Sequence, residues 1–98
     1  MAAPIAVVNV RVHDPSLYDE YKRQTPDSVA SFGGRFLARG GAVDVREGSW
    51  SPERLVVLEF PDVDAARAWY ESPEYQELLA IRQRAAESEL VITEGVDA

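Results

Sequence analysis

Glu59 closes an aliphatic run, Leu55 to Leu58, and arginines at positions 11, 39 and 54 are candidates to sit beside it. A carboxylate held among apolar neighbours is driven toward its neutral form unless a guanidinium compensates it, and such a group can work as a general base. These residue types point to metal-free acid–base chemistry. Glu59 and Arg39 are the catalytic candidates. Asn9, Arg11, Arg39, Trp50 and Arg54 are the candidate contacts for a small anionic, carbonyl-bearing or aromatic compound. A structural Arg–Glu pair accounts for the same residues. Trp50, next to Ser51-Pro52 in a turn, serves equally as a pocket lid or a hairpin anchor.

Other chemistries lack their parts. The chain has no cysteine and one histidine, His13, so thiolate nucleophiles, disulfides and a zinc site of three or four ligands are not expected. No G-x-S-x-G nucleophile elbow occurs. No metal or cofactor is expected, and the role of His13 is left open. A formal charge of −7 argues against nucleic acid, whose affinity comes from a basic face releasing counterions. No stretch approaches the roughly 20 apolar residues of a membrane span. The N-terminal apolar run follows no basic segment and reads as a strand rather than a secretory leader, which makes a cytoplasmic location the expectation.

Strands and helices must position the candidate groups. Ile5 to His13 alternates and is rich in Val, a strand. Asp14-Pro15 supplies an N-cap and first-turn proline for a helix whose buried stripe runs Tyr18, Tyr21, Thr25, Val29, Phe32. Pro26 should kink or restart that helix, and Gly33-Gly34 should end it. Arg35 to Ala38 and Val43 to Glu47 are strand-like runs flanking Gly40-Gly41, where a bend would aim Arg39 at a cavity. Strand-like sequence follows each glycine pair, so a phosphate loop, which leads into a helix, is excluded. Arg54 to Phe60 is the third strand. Asp62 caps a helix burying Ala66, Trp69 and Tyr70. Ser72-Pro73 starts another, with Tyr75, Leu78, Leu79, Arg82, Ala85 and Ala86 on its inner face. Glu89 to Glu94 is the last strand, and Gly95 to Ala98 a tail. The order βαββαβ predicts an α+β, ferredoxin-like fold, one domain over residues 1–98 with helices on one face of an antiparallel sheet.

Sorting the strands by alternation leaves Ile5, Val7, Leu37, Leu55 and Val57 on the face away from the helices, among Asn9, Arg11, Arg39 and Glu59. A water-washed face is mostly polar. A second copy packed sheet to sheet, an isologous homodimer, would cover these side chains and enclose a pocket between sheet and partner. The other reading is a non-catalytic dimerisation or interaction module with a structural polar interior.

"GGRFLARGG" and "EGSWSPERLVVLEFPDVDAARAWYESPEYQ" together resemble the domain-of-unknown-function family thirteen-thirty, within the dimeric α+β barrel superfamily, over Ile5 to Val96. The resemblance implies a ferredoxin-like subunit and a homodimeric barrel, and no established reaction. Its motif positions fall on Arg39, Gly40, Gly41, Trp50, Arg54, Glu59, Trp69, Tyr70 and Tyr75. More distant barrel relatives include cofactor-independent monooxygenases of polyketide-like aromatics, haem-degrading enzymes and small isomerases or dehydratases. The haem degraders share an asparagine where Asn9 stands, but their iron-binding helix histidine has no counterpart here.

Overall fold

Three helices begin where a short polar side chain meets the free N–H groups of a first turn. Asp14 accepts from the Leu17 N–H at 3.2 Å, Asp62 from Ala65 at 2.7 Å and Ser72 from Tyr75 at 3.1 Å. In this computed structural model, which describes residues 3–96, the elements are β1 (Ile5–Val12), α1 (Pro15–Ser31), β2 (Arg35–Arg39), β3 (Arg54–Glu59), α2 (Val63–Glu71), α3 (Pro73–Ala85) and β4 (Ala86–Thr93). Asp97 and Ala98 of the expected tail lie outside the described residues. The strands pair in the order β2-β3-β1-β4, every neighbour antiparallel. That is the ferredoxin-like α+β arrangement. No described helix is long and apolar enough to cross a membrane.

The helices cover the uniformly apolar face. Ala6, Val8 and Val10 of β1, with Val56 and Leu58 of β3 and the adjoining Phe60, pack against Tyr18, Tyr21 and Val29 of α1, Trp69 of α2 and Tyr75 and Leu78 of α3. Trp69 is the hub. Its ring lies 4.1 Å from that of Tyr75 and 5.2 Å from that of Phe60, and its indole N–H donates to the Ser28 hydroxyl at 3.2 Å. The buried polar tip is thereby satisfied.

Four expectations need correction. First, α1 runs through Pro26 as one helix instead of restarting there. Proline has no N–H for the Lys22 carbonyl four residues back, and a guanidinium N–H of Arg39 bonds that carbonyl instead. Second, Val43 to Glu47 forms no strand and is exposed. The ladder stops because its partner stops: the Gly40 N–H bonds the Leu55 carbonyl, and β3 begins only at Arg54. Alternation without a neighbouring strand has nothing to bond to. Third, the irregularity in β2 falls at Leu37, not at Gly40-Gly41. Phe36 pairs with Leu58 and Ala38 with Val57, which leaves Leu37 as an extra, bulged residue. An inserted residue reverses the faces of everything after it. Arg39 therefore stands on the helix side with Phe36, opposite Val56, and not on the open face. Fourth, β4 starts at Ala86, three residues before the expected Glu89.

Candidate functional site

The sheet divides the expected site residues into two groups. On the open face, Asn9 and Arg11 of β1 face Glu89 and Glu87 of β4, and Trp50 and Glu53 rise from the loop before β3. Together they outline a hollow of about 460 Å³. Arg11 stands 3.9 Å from both Glu53 and Glu87, all three well exposed. With one arginine against three glutamates the hollow is acidic, which makes it a poor seat for an anion. Glu59 shares this face but sits at its far end, opposite Ile5. None of Arg11, Arg39 or Arg54 pairs with it. Arg35, its cross-strand neighbour, holds it through Nε and Nη2 at 2.8 Å each.

Arg39 and Arg54 lie on the other face, between the sheet and α1. Even-numbered residues of β3 point to the helices, so Arg54 lines up with Val56 and Leu58; the Leu37 bulge turns Arg39 the same way. The Arg54 Nε donates to the Tyr18 hydroxyl at 3.1 Å, and its guanidinium carbon lies 5.3 Å from the Tyr18 ring centre. Arg39 lies 4.5 Å over the Phe36 ring and is fixed from above by the Lys22 carbonyl. Gly40 makes room for this pair. It adopts φ +76°, and a Cβ there would sit 2.8 Å from the Arg54 guanidinium carbon. A side chain at that position would be strained and would push Arg54 away.

Deeper in the same pocket, Arg82 of α3 is buried, with Nη1 donating to Tyr75 at 3.0 Å and to Tyr21 at 3.4 Å. The two phenol oxygens are 2.7 Å apart. Tyr18 and Tyr21 pack with ring centres 5.5 Å apart and bridge the outer arginines to the inner one. Burial raises the Tyr18 phenol above its ordinary value, partly opposed by Arg54, and pushes Tyr75 far above it, with Tyr21 adding to the rise. Both stay neutral donors. Arg39 is drawn below its ordinary value by loss of solvent and then by repulsion from Arg54, and it remains a cation. Arg39, Arg54, Arg82 and Lys22 thus line one pocket, and no carboxylate among the described residues does.

The sequence reading missed Tyr18, Tyr21, Lys22 and Arg82 as pocket residues. One signal was available: Arg82 occupies a core position of the α3 stripe, where charged residues are rare unless paired.

A family model described as "Domain of unknown function (DUF1330)" matches residues 5–96. The chain belongs to the DUF1330 family. No curated protein matches it. Solved structures share the DUF1330 chain's fold at low identity. A protein of unknown function from Rhodopseudomonas palustris is 20% identical with TM-score 0.73, covering 100% of this chain and 86% of that one. SnoaB, a cofactor-independent oxygenase from Streptomyces nogalater, is 17% identical with TM-score 0.71, covering 100% and 97%. A dimeric ferredoxin-like protein of unknown function from Thermobifida fusca is 16% identical with TM-score 0.64, covering 95% and 91%. At these identities the likeness of the DUF1330 chain to them is one of fold.

Proposed function

We propose that the protein binds a small organic anion, a keto or aromatic acid, in the pocket between α1 and the helix face of the sheet. The observation that carries this reading is the meeting of Arg39 and Arg54 with no carboxylate beside them, in a chain of net charge −7. Like charges drawn together and partly desolvated call for a counter-charge. The phenyl faces of Tyr18 and Phe36 give an apolar body somewhere to lie. The cavity itself is about 20 Å³, room for about one water. Entry therefore requires the exposed side chains of Arg39 and Lys22 to swing out. If the ligand is turned over, the groups present stabilise negative charge developing on oxygen, and the oxygenase activity of SnoaB names the first reaction to assay. Glu59 and Asn9, on the other face, take no part in this pocket.

The second half of the reading is a homodimer through the open face. Val91 is 60% and Leu37 48% exposed, and Val7, Leu55 and Val57 between them are only half-buried. A second copy covers such a stripe around a two-fold axis, and the Thermobifida relative is dimeric.

Calorimetry with a panel of keto and aromatic acids, beside sedimentation at micromolar concentration, tests both halves. Binding should be lost or weakened at least about tenfold in Arg54→Ala and Arg39→Ala, since a hydrogen-bonded charge contributes about 1.5–3 kcal/mol. A full panel without a binder would reject the pocket and leave the dimerisation module standing. Monomers alone would reject the module as well.

A further inference from the structure

The binding of one carboxylate by Arg39 and Arg54 leaves Arg82 unexplained. Its side chain is 96% buried, with only 4% of the residue exposed, and it reaches the floor of the pocket from α3. Buried arginines ordinarily meet a carboxylate. This one meets two phenols, Tyr75 at 3.0 Å and Tyr21 at 3.4 Å, and its Nε–H has no acceptor among the described residues.

Counting protons sharpens the point. The Tyr21–Tyr75 contact of 2.7 Å uses one phenol proton, whichever residue donates. The second phenol proton is free to point elsewhere. The cluster therefore carries at least two surplus donors, one O–H and the charged Nε–H of Arg82. Its only acceptors, the two phenol oxygens, are already engaged. An interior so rich in donors lacks an acceptor.

We infer that Arg82, Tyr21 and Tyr75 form an oxyanion subsite at the inner end of the pocket, taking the carbonyl, enolate or phenolate oxygen of a ligand whose carboxylate rests on Arg39 and Arg54. This rests on the anion-binding reading above and narrows its ligand class from keto and aromatic acids in general to those with a second oxygen set beyond an apolar middle, keto acids and hydroxyaryl acids. The Tyr18–Tyr21 pair separates the two ends: Arg54 lies 5.3 Å from the Tyr18 ring centre and Arg82 5.6 Å from that of Tyr21. The ligand's apolar middle lies along those rings. Its inner oxygen takes the place for which the cavity now has about one water's room.

Matched pairs of probes test the subsite on the full chain: benzoate against 4-hydroxybenzoate, and pentanoate against 4-oxopentanoate, each second member carrying its added oxygen beyond an apolar middle. The wild type should prefer the member with the second oxygen by about tenfold or more. Bound 4-hydroxybenzoate should ionise its phenol, followed by absorbance, at lower pH than the free acid. Tyr75→Phe, which keeps the ring and removes the hydroxyl, should erase the preference, and Arg82→Lys should erase it and the ionisation shift. Arg54→Ala should weaken both members of each pair alike. Should Arg82→Lys not fold, Tyr75→Phe decides. Equal binding of the paired probes, with Arg54→Ala still weakening both, would overturn the subsite and spare the anion site. Failure of all four probes to bind would overturn both. A preference that survives Tyr75→Phe together with Arg82→Lys would also overturn the subsite.

Discussion

The two hollows on either side of the sheet share strand β1 and differ in charge. On the open side Arg11 is outnumbered by Glu53, Glu87 and Glu89; on the helix side Arg39, Arg54, Arg82 and Lys22 meet no acid among the described residues. Successive residues of one strand feed opposite faces, so a sheet can sort charge between them with one-residue precision. Glu53 and Arg54 are neighbours in sequence and serve opposite hollows. The lesson is that a local count of charges misleads here. The arginines that look interchangeable in sequence are divided between the two faces, Arg11 on the open side and Arg39 and Arg54 on the helix side, Arg39 only because of the Leu37 bulge.

The same contrast applies to packing, and the largest expected effect lies there. Trp69→Ala empties the centre of the helix side, where Phe60, Tyr75 and Ser28 all contact the indole. It should cost about 3–5 kcal/mol and lower the melting temperature by about 12 °C or more in a chain of this size. Val91→Ala on the open side removes a side chain that is 60% exposed and should change an isolated subunit by less than about 0.5 kcal/mol. Paired thermal melts over a dilution series give both numbers. Equal losses would mean that the open face is as well packed as the helix face, and the contrast between them would be gone.

Much of this was legible in the sequence, for local reasons. The caps at Asp14, Asp62 and Ser72 and the prolines after the first and last of them mark helix starts because the side chain that satisfies the first turn is part of the same short segment. β1 and β3 could be read because one alternate set of their residues is wholly apolar. The bulge at Leu37 could not, since it exists only as a mismatch between β2 and β3, and no residue in "RFLAR" announces it. That single unseen residue moved Arg39 to the opposite side of the sheet. Val43 to Glu47 failed for a related reason: alternation describes a strand's faces but not whether a neighbour is present to bond it. Arg82 was visible at its core position, yet its meaning needed Tyr21 and Tyr75, brought from two different helices.

An intermediate effect comes from Pro26. The proline costs the helix interior up to about 3 kcal/mol relative to alanine, and what it leaves is a free carbonyl at Lys22 that receives Arg39. Pro26→Ala supplies an N–H to that carbonyl and takes the acceptor from Arg39. We expect stability to rise by about 1–3 kcal/mol while affinity for the anion falls, because Arg39 loses the contact that aims it. Chemical denaturation with calorimetry on the same sample checks both. A variant that is more stable and binds as well as the wild type would show that the proline has no part in arming the pocket.

The smallest effect sharpens the comparison most. Glu59→Gln removes the carboxylate that holds Arg35 on the open face, where the glutamate side chain is 29% and the arginine 71% exposed. In a lone subunit such a pair is screened by water and its loss should cost less than about 1 kcal/mol. Under a second copy the same pair would be shut away from solvent, and removing one partner would strand a guanidinium, a loss of several kcal/mol taken from the association itself. The variant should therefore be nearly silent at high dilution and should shift the monomer–dimer balance toward monomer as concentration rises. Identical melting of variant and wild type at every concentration would leave Glu59 on a face that nothing covers.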